Sequence, residues 1–298
     1  MHFTKMEGLG NDYVYVNCLK EKADDPGELA IRVSDRHFGI GSDGLILIKD
    51  SKIADFTMEM YNADGSRSEM CGNGIRCVGK YVYDHGLTDK TDISVETLAG
   101  IKYLHFVLEK KDETDRGTVR LVEVNMGAPI LKPELVPVDL NELKKAGTEE
   151  ADGKAFDQMI CDYPVKIAGG DYRITCVSMG NPHCVSFVED VDHFPIDEVG
   201  RVFESHPIFP RRVNAEFVEV VSRNYLKMRV YERGTGETFA CGTGTCATVV
   251  AAILNGVTED EVTVKLLGGE LIIRWDREKN VIFMTGPAKT VFEGSIEI

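Results

Sequence analysis

The chain has 298 residues, 43 % of them apolar and 28 % charged, as in a globular protein of one large or two ordinary domains. Its formal net charge of -15 argues against nucleic acid and anionic membrane as partners, and no apolar run is long enough to span a bilayer. The amino terminus, MHFTKMEGLGNDYVYVN, shows no apolar signal core, so the eight cysteines are expected as reduced thiols of a cytoplasmic protein rather than as four disulfides.

Taken in chain order, YVYVNCL, GLILIKD, DFTMEMYNA and VRLVEVNMG read as strands in the first half. GIRCVGKYVYDHG, from Gly74 to Gly86, reads as a helix between the third and fourth of them. The polar stretch from Val138 to Asp162 breaks the strand pattern and reads as an excursion with a short helix or loop. YRITCVSM, HCVSFVEDV, AEFVEVV, LKMRVYERG, EVTVKLLGGELIIRW and VIFMTG read as strands of the second half, and DEVGRVFESHP as a surface helix. GTCATVVAAILNG, ending at Gly256, is apolar on nearly all sides, so it is expected as a buried helix. Each half therefore predicts an α/β (α+β) domain, a sheet wrapped around one central helix.

The halves share a register. The Cys-Gly-x-Gly motifs at Cys71 and Cys241 stand 170 positions apart. Asn11 and Asn181, each after a glycine and before a strand, stand at the same offset, as do Gly86 and Gly256 at the two helix ends. Three ungapped matches argue for a duplicated domain.

In both motifs a cysteine sits where a helix begins. The first amides of a helix lack an intrahelical partner and carry partial positive charge, so a carboxylate or phosphate fits there. Gly72, Gly74, Gly242 and Gly244 let a ligand approach the backbone. The same field is expected to lower a thiol below its usual value of about 8.5. Two such cysteines, one from each half, suit removal of an α-proton by a thiolate on one face and donation from a thiol on the other, which inverts a stereocentre. The remaining cysteines, Cys18, Cys77, Cys161, Cys176, Cys184 and Cys246, read as core fillers. No Cys-x-x-Cys pair occurs, so no zinc site is expected.

The stretches FTKMEGLGNDYV, YNADGSRSEMCGNGIRC, MGNPHCV, RRVNAEFVEV and VYERGTGETFACGTGTCA span almost the whole chain. Together they closely resemble the diaminopimelate epimerase family. The resemblance implies the diaminopimelate epimerase-like fold, two pseudo-symmetric domains each with a mixed or antiparallel barrel-like sheet around a central helix. The first is expected over residues 1–125 plus 287–298, with the last strand near FEGSIEI returning to it, and the second over 126–286. It implies a homodimer without pyridoxal phosphate, metal or other cofactor, interconverting LL- and meso-diaminopimelate for lysine and peptidoglycan precursor synthesis.

By the same resemblance Cys241 is the proton acceptor and Cys71 the donor in the LL-to-meso direction, with His183 and Glu232 tuning and orienting. Gly72, Asn73, Gly242 and Thr243 supply backbone donors to the reacting carboxylate. Family members often carry serine at the place of Thr243, a harmless difference if only the backbone matters. Arg233 holds the distal carboxylate and Glu232 meets the α-ammonium. Asn11, Asn62, Asn181 and Asn214 are polar substrate ligands. Some members have a substrate-touching glutamine where this chain has Gly44, so no ligand is assigned there.

A proline racemase or hydroxyproline epimerase shares the two-cysteine logic. It usually has histidine after the first Cys-Gly, where Asn73 stands, and its substrate has no distal arm for Arg233 to hold. A PhzF-like isomerase, with a carboxylate replacing cysteine, fits less well with two intact cysteines. A binding module or thiol-redox protein is a third class that the paired motif disfavours.

Overall fold

The computed structural model describes residues 1–149 and 158–297. Among them lie 18 strands and five helices, a mixed α/β architecture. The chain separates into two compact units, Met1–Asn125 with Thr285–Ile298, and Met126–Met284. The first contains β1 (His2–Gly8), β2 (Asn11–Asn17), α1 (Pro26–Ser34), β3 (Gly44–Lys49), β4 (Phe56–Asn62), β5 (Arg67–Ser68), α2 (Gly72–Asp84), β6 (Asp92–Thr97) and β7 (Gly100–Glu109), and most of β8 (Thr118–Gly127). The second contains α3 (Leu140–Ala146), β9 (Tyr163–Ile167), β10 (Gly170–Ser178), β11 (Pro182–Phe187), α4 (Ile196–Glu204), β12 (Asn214–Ser222), β13 (Tyr225–Glu232), β14 (Gly236–Thr238), α5 (Gly242–Leu254), β15 (Glu261–Leu266) and β16 (Gly269–Asp276). The chain leaves it within β17 (Val281–Pro287) and ends with β18 (Lys289–Ser295).

Strand pairing repeats from one unit to the other. In the first, β18–β1, β1–β2, β3–β4, β6–β7 and β7–β8 are antiparallel, while β2–β3 and β4–β6 are parallel. In the second, β9–β10, β10–β11, β12–β13 and β15–β16 are antiparallel, while β11–β12 and β13–β15 are parallel. The 170-residue register survives in the ladders. Val14 faces Leu45 in the first unit, and Cys184 faces Ala215 in the second.

Each unit is organised by its buried helix. α2 packs against β1, β2, β7 and β18, with Ile75, Cys77, Val78 and Val82 in the core. α5 packs against β10, β11, β12 and β16 and is buried from Gly244 to Ile253, as its Ala- and Val-rich sequence requires. The strands over these helices alternate where one face is wet, as in the pattern of Phe56, Met58 and Met60 inward on β4. β3 is buried on both faces and reads as an unbroken apolar run.

Several elements differ from the sequence reading. EVTVKLLGGELIIRW is not one strand but the hairpin β15–β16, in which Leu266 opposes Gly269 across a turn at Leu267 and Gly268. β1 was not legible as a strand because Lys5 interrupts its apolar run; the lysine is buried and its Nζ lies 2.5 Å from the Asp12 carboxylate. α1 was not read, although Pro26 stands at its first position; Asp25 ahead of it makes no side-chain cap. β5, β6, β7, β9 and β14 were also missed. β18 returns to β1, as the family resemblance implies, with His2 opposite Ser295. In the Val138–Asp162 stretch α3 starts where the Asp139 carboxylate accepts the amides of Asn141 and Glu142; residues 150–157 lie outside the described residues. α4 is the expected surface helix, burying Ile196, Val199 and Phe203.

All eight cysteines are free thiols, with Cys77, Cys176, Cys184 and Cys246 fully in the core. Among the described residues no helix is long and apolar enough to cross a membrane.

The packing of α2 on β7 depends on a residue without a side chain. A Cβ at Gly79 would stand 2.8 Å from Phe106 Cε1 and 2.9 Å from Leu104 Cδ2. Gly79→Leu is therefore expected to destabilise the protein by about 1–3 kcal/mol through overpacking, read as a lower denaturant midpoint in chemical unfolding.

Candidate active site

Cys71 and Cys241 are the N-caps of α2 and α5. Both have extended backbone, φ -125° and ψ 121° at Cys71, φ -117° and ψ 108° at Cys241. In this place a Ser, Thr or Asp oxygen ordinarily accepts an amide of the first turn. Here sulfur does so: Gly74 N donates to Cys71 Sγ at 3.3 Å, and Gly244 N donates to Cys241 Sγ at 3.4 Å. The amides of Gly72 and Asn73, and of Gly242 and Thr243, precede each helix's own hydrogen-bond ladder and form the positive end of its dipole. An anion cradle and a thiol thus share each helix start.

In the first unit the Cys71 thiol donates to Asn11 Oδ1 at 3.1 Å. Asn11 Nδ2 donates to the Asp43 carboxylate at 2.8 Å, and Arg36 holds Asp43 at 3.0 Å. Asn73, 3 % exposed, lies under β1, where a Cβ on Gly8 would come within 3.0 Å of its carbonyl oxygen. Asn62 ends β4 opposite Gly44 and donates to the Ser66 hydroxyl at 3.0 Å. At Gly44 a Cβ would stand 2.1 Å from the Tyr61 carbonyl oxygen, so this backbone admits only glycine.

In the second unit Cys241, Thr243, Asn181, His183, Glu216 and Glu232 form one connected cluster. Cys241 Sγ lies 3.5 Å from the Thr243 hydroxyl, which accepts from Asn181 Nδ2 at 3.2 Å. Asn181 Oδ1 lies 3.1 Å from His183 Nε2, and His183 Nδ1 lies 2.6 Å from Glu216 Oε1. Glu232, at the end of β13, accepts from the Thr238 hydroxyl, and its carboxylate acts electrostatically on Cys241. Asn214 lies opposite His183 in the parallel β11–β12 pair. Its amide accepts from Arg233 N at 3.0 Å and donates to Pro182 O at 2.9 Å. Glu204 Oε1 accepts Gly234 N at 2.9 Å, so the backbone amides of Arg233 and of the residue after it are both pinned. That guanidinium is exposed, bonds the Arg211 carbonyl at 3.1 Å and has no carboxylate partner among the described residues.

The electrostatics of the Cys241 cluster depart from the sequence expectation. Burial pushes the Cys241 thiol well up, and the Glu232 and Glu216 carboxylates add to it; only the Thr243 hydroxyl and the Gly244 amide pull the other way. The helix start therefore lowers this thiol less than its surroundings raise it in the ligand-free protein. Burial likewise raises Glu232 and Glu216, opposed in both by His183.

Two groups escaped the sequence reading. Glu216 is fully buried and paired with a fully buried histidine. Its motif, NAEFVEV, gives no warning, because a strand residue among apolar neighbours reads as outward-facing. Its Oε1 would lie 2.6 Å from a Cβ on Gly244, so the second glycine of the motif makes room for this carboxylate. The Thr243 hydroxyl is the other: it links Asn181 to Cys241, so the position contributes more than its backbone amide.

Comparison with known proteins places these features. The fold is shared with a PhzF-family phenazine biosynthesis protein of Bacillus anthracis, at 16 % identity and TM-score 0.68 over 100 % of this chain and 99 % of that one. It is shared also with a hydroxyproline epimerase of Agrobacterium vitis, at 14 % identity and TM-score 0.62 over 99 % of this chain and 91 % of that one. At such identities the likeness extends to the fold alone, a class of folds built from paired α/β units.

The family within that class is set by sequence. The diaminopimelate epimerase family profile matches residues 3–132 and 175–291. A diaminopimelate epimerase of Acetivibrio thermocellus is 56 % identical over 100 % of this chain and 99 % of its own length, and one of Agathobacter rectalis is 57 % identical over 100 % of both. The chain belongs to the diaminopimelate epimerase family.

The Thr243 hydroxyl yields a test of the cluster. Its hydrogen bond favours the thiolate, so its loss raises the thiol's pKa. Thr243→Val is expected to move the pH midpoint of Cys241 alkylation upward by about one unit, the worth of one hydrogen bond, and Thr243→Ser to restore it. Peptide-resolved mass spectrometry after iodoacetamide treatment reads the midpoint.

Proposed function

We propose that the chain interconverts LL- and meso-diaminopimelate by proton transfer at the α-carbon, with Cys241 and Cys71 as the two bases. The observation that carries the reading is the duplicated cap: two thiols, each accepting a helix-start amide. One substrate meets both thiols, from opposite faces of its α-carbon. Its α-carboxylate takes the amides of Gly72 and Asn73 and of Gly242 and Thr243. In the LL-to-meso direction the Cys241 thiolate removes the α-proton and the Cys71 thiol delivers its own to the other face; the reverse reaction exchanges the roles.

The raised Cys241 thiol fits this sequence of events. Glu232 is one of the carboxylates that hold it up. The substrate's α-ammonium brings a positive charge beside Glu232 and offsets that carboxylate, so ionisation of Cys241 becomes easier as substrate arrives. Arg233, exposed and without an ion-pair partner among the described residues, takes the distal carboxylate in a bidentate pair, with Asn214 fixing its backbone. Asn11, Asn62 and Asn181 complete the polar contacts. A thiol and a thiolate supply both acid and base, so the reading calls for no pyridoxal phosphate. The resemblance to the family supports a cytoplasmic homodimer and a place before lysine and peptidoglycan.

The test is an NMR time course in D₂O with reduced protein and LL-diaminopimelate, and with L-proline and trans-4-hydroxy-L-proline as controls. Loss of the diaminopimelate α-proton with appearance of the meso isomer is expected. Exchange only with the proline substrates sinks the reading. Cys71→Ala and Cys241→Ala are each expected to slow turnover by roughly 100-fold or more in folded protein, the usual scale for a missing acid or base. Arg233→Met is expected to raise KM about 10- to 100-fold, the worth of a charged hydrogen-bonded pair, with unchanged melting temperature. An unaltered KM would remove Arg233 from the site.

A further inference from the structure

Beside Cys71 stands a buried side chain to which the reading above gives no part. At the 170-residue offset Asn11 matches Asn181, and Tyr13 matches His183. The match is structural as well as numerical, since β2 pairs with β3 in the register that β11 keeps with β12. Residues two apart on a strand share a face, so Asn11 and Tyr13 point the same way, as do Asn181 and His183. His183 reaches Cys241 through Asn181 and Thr243. Tyr13 stands beside its cysteine without an intermediary: its phenol feels both the Asn11 side chain and Cys71.

The ring has a built place. Tyr13 is 5 % exposed. Its Cε1 would stand 2.8 Å from a Cβ at position 44, so Gly44 leaves the room in which the ring lies. Asn11 is fixed in turn by Asp43, and Asp43 by Arg36. The surroundings otherwise differ between the units. A Cβ on Gly74 would meet Ile46 Cδ1 at 2.7 Å, and the corresponding Cβ on Gly244 would meet Glu216 Oε1 at 2.6 Å. Ile46 and Glu216 are again 170 positions apart. Beneath the Cys71 cap there is thus an aliphatic group where the Cys241 cap has a carboxylate.

We propose that Tyr13 is the positioning residue of Cys71, its hydroxyl donating to the sulfur whenever Cys71 is the thiolate and leaving the thiol to Asn11 when Cys71 carries the proton. Burial, with the adjoining Cys71 next, holds the Tyr13 phenol far above its ordinary value, so it remains a donor and no proton passes through it. The proton that Cys71 gains or loses is exchanged with the substrate carbon alone. This inference rests on Cys71 being a catalytic base, yet its effect on the sulfur exists whether or not that base turns over.

Other titratable groups around Cys71 stay in place when Tyr13 is changed. They are Lys5 and Glu7 of β1, Asp12 and Tyr15 of β2, Asp43 before β3, and Arg76 and Cys77 of α2. Cys77 is pushed up to about 12 by burial and Tyr15 is held well up by burial, so neither ionises in the range of interest. Asp12 is held below the usual carboxylate range by Arg36 and Lys5 against the opposing effect of burial.

Tyr13→Phe keeps the ring and removes the donor. Alkylation of full-length, reduced protein by iodoacetamide between about pH 6 and 10, resolved by peptide mass spectrometry, reads each thiol separately. The midpoint for Cys71 is expected to rise by about one unit, the worth of one hydrogen bond, while that for Cys241 stays where it was. Turnover of diaminopimelate is expected to fall about tenfold with KM within twofold, because the lost bond acts on the base and not on substrate binding. A Cys71 midpoint unchanged by Tyr13→Phe in folded protein overturns the assignment, whatever the activity. A shifted midpoint in protein that exchanges no diaminopimelate α-proton upholds the assignment and takes away the proposed reaction instead.

Discussion

A sulfur atom accepting the third amide of a helix is the interaction on which the rest of this structure depends. For a thiol to cap a helix, the chain must arrive extended and turn into the helix within one residue, which both cysteines do. The third helical position must then be a glycine, because a side chain there would strike the sheet beneath: Ile46 in one unit, Glu216 in the other. The helix must also be buried lengthwise so that its start is held against the strands. Cys-Gly-x-Gly followed by an apolar helix is the sequence form of that single geometric demand. Polar side chains then gather around the sulfur because the strand next to each helix start brings an asparagine to it.

The duplication keeps this geometry and changes its electrostatics. Cys241 sits among carboxylates and a histidine, in a setting that resists ionisation. Cys71 sits with a neutral amide and a phenol over an aliphatic floor. One scaffold thus offers two thiols of different character. On the proposed two-base reading the pair exchanges protonation states at every turnover, and the two thiols do so in unlike surroundings.

Much of this was legible in the sequence where a constraint is local. The helix starts, the glycines and the 170-residue register are written in adjacent residues, and the ladders bear out the register. Family resemblance singled out Asn11, Asn181, His183 and Glu232, which the structure gathers around the two thiols. What stayed hidden depends on distant partners. The place of Lys5 within β1 was hidden because Asp12, which pairs with it, stands on the next strand. The burial of Glu216 was hidden because nothing near it in sequence announces His183. The lowered thiol expected at Cys241 failed for the same reason: the helix field is local and visible, whereas burial and the carboxylates come from other strands. The hairpin at Leu267 and Gly268 was read through because its apolar residues continue on both sides of a two-residue turn.

The return of β18 to β1 has a consequence for how the chain is made. The amide of Ile296 bonds the carbonyl of Met1, and the last strand is laid against the first. The second unit is continuous from Met126 to Met284, whereas the first is assembled from both ends of the polypeptide. During synthesis, which runs at about 5–20 residues per second, the later-made unit has all its strands before the earlier-made one does. The unit that carries Cys71 is begun first and finished last. Its edge along β1 waits, open, until β18 has been made.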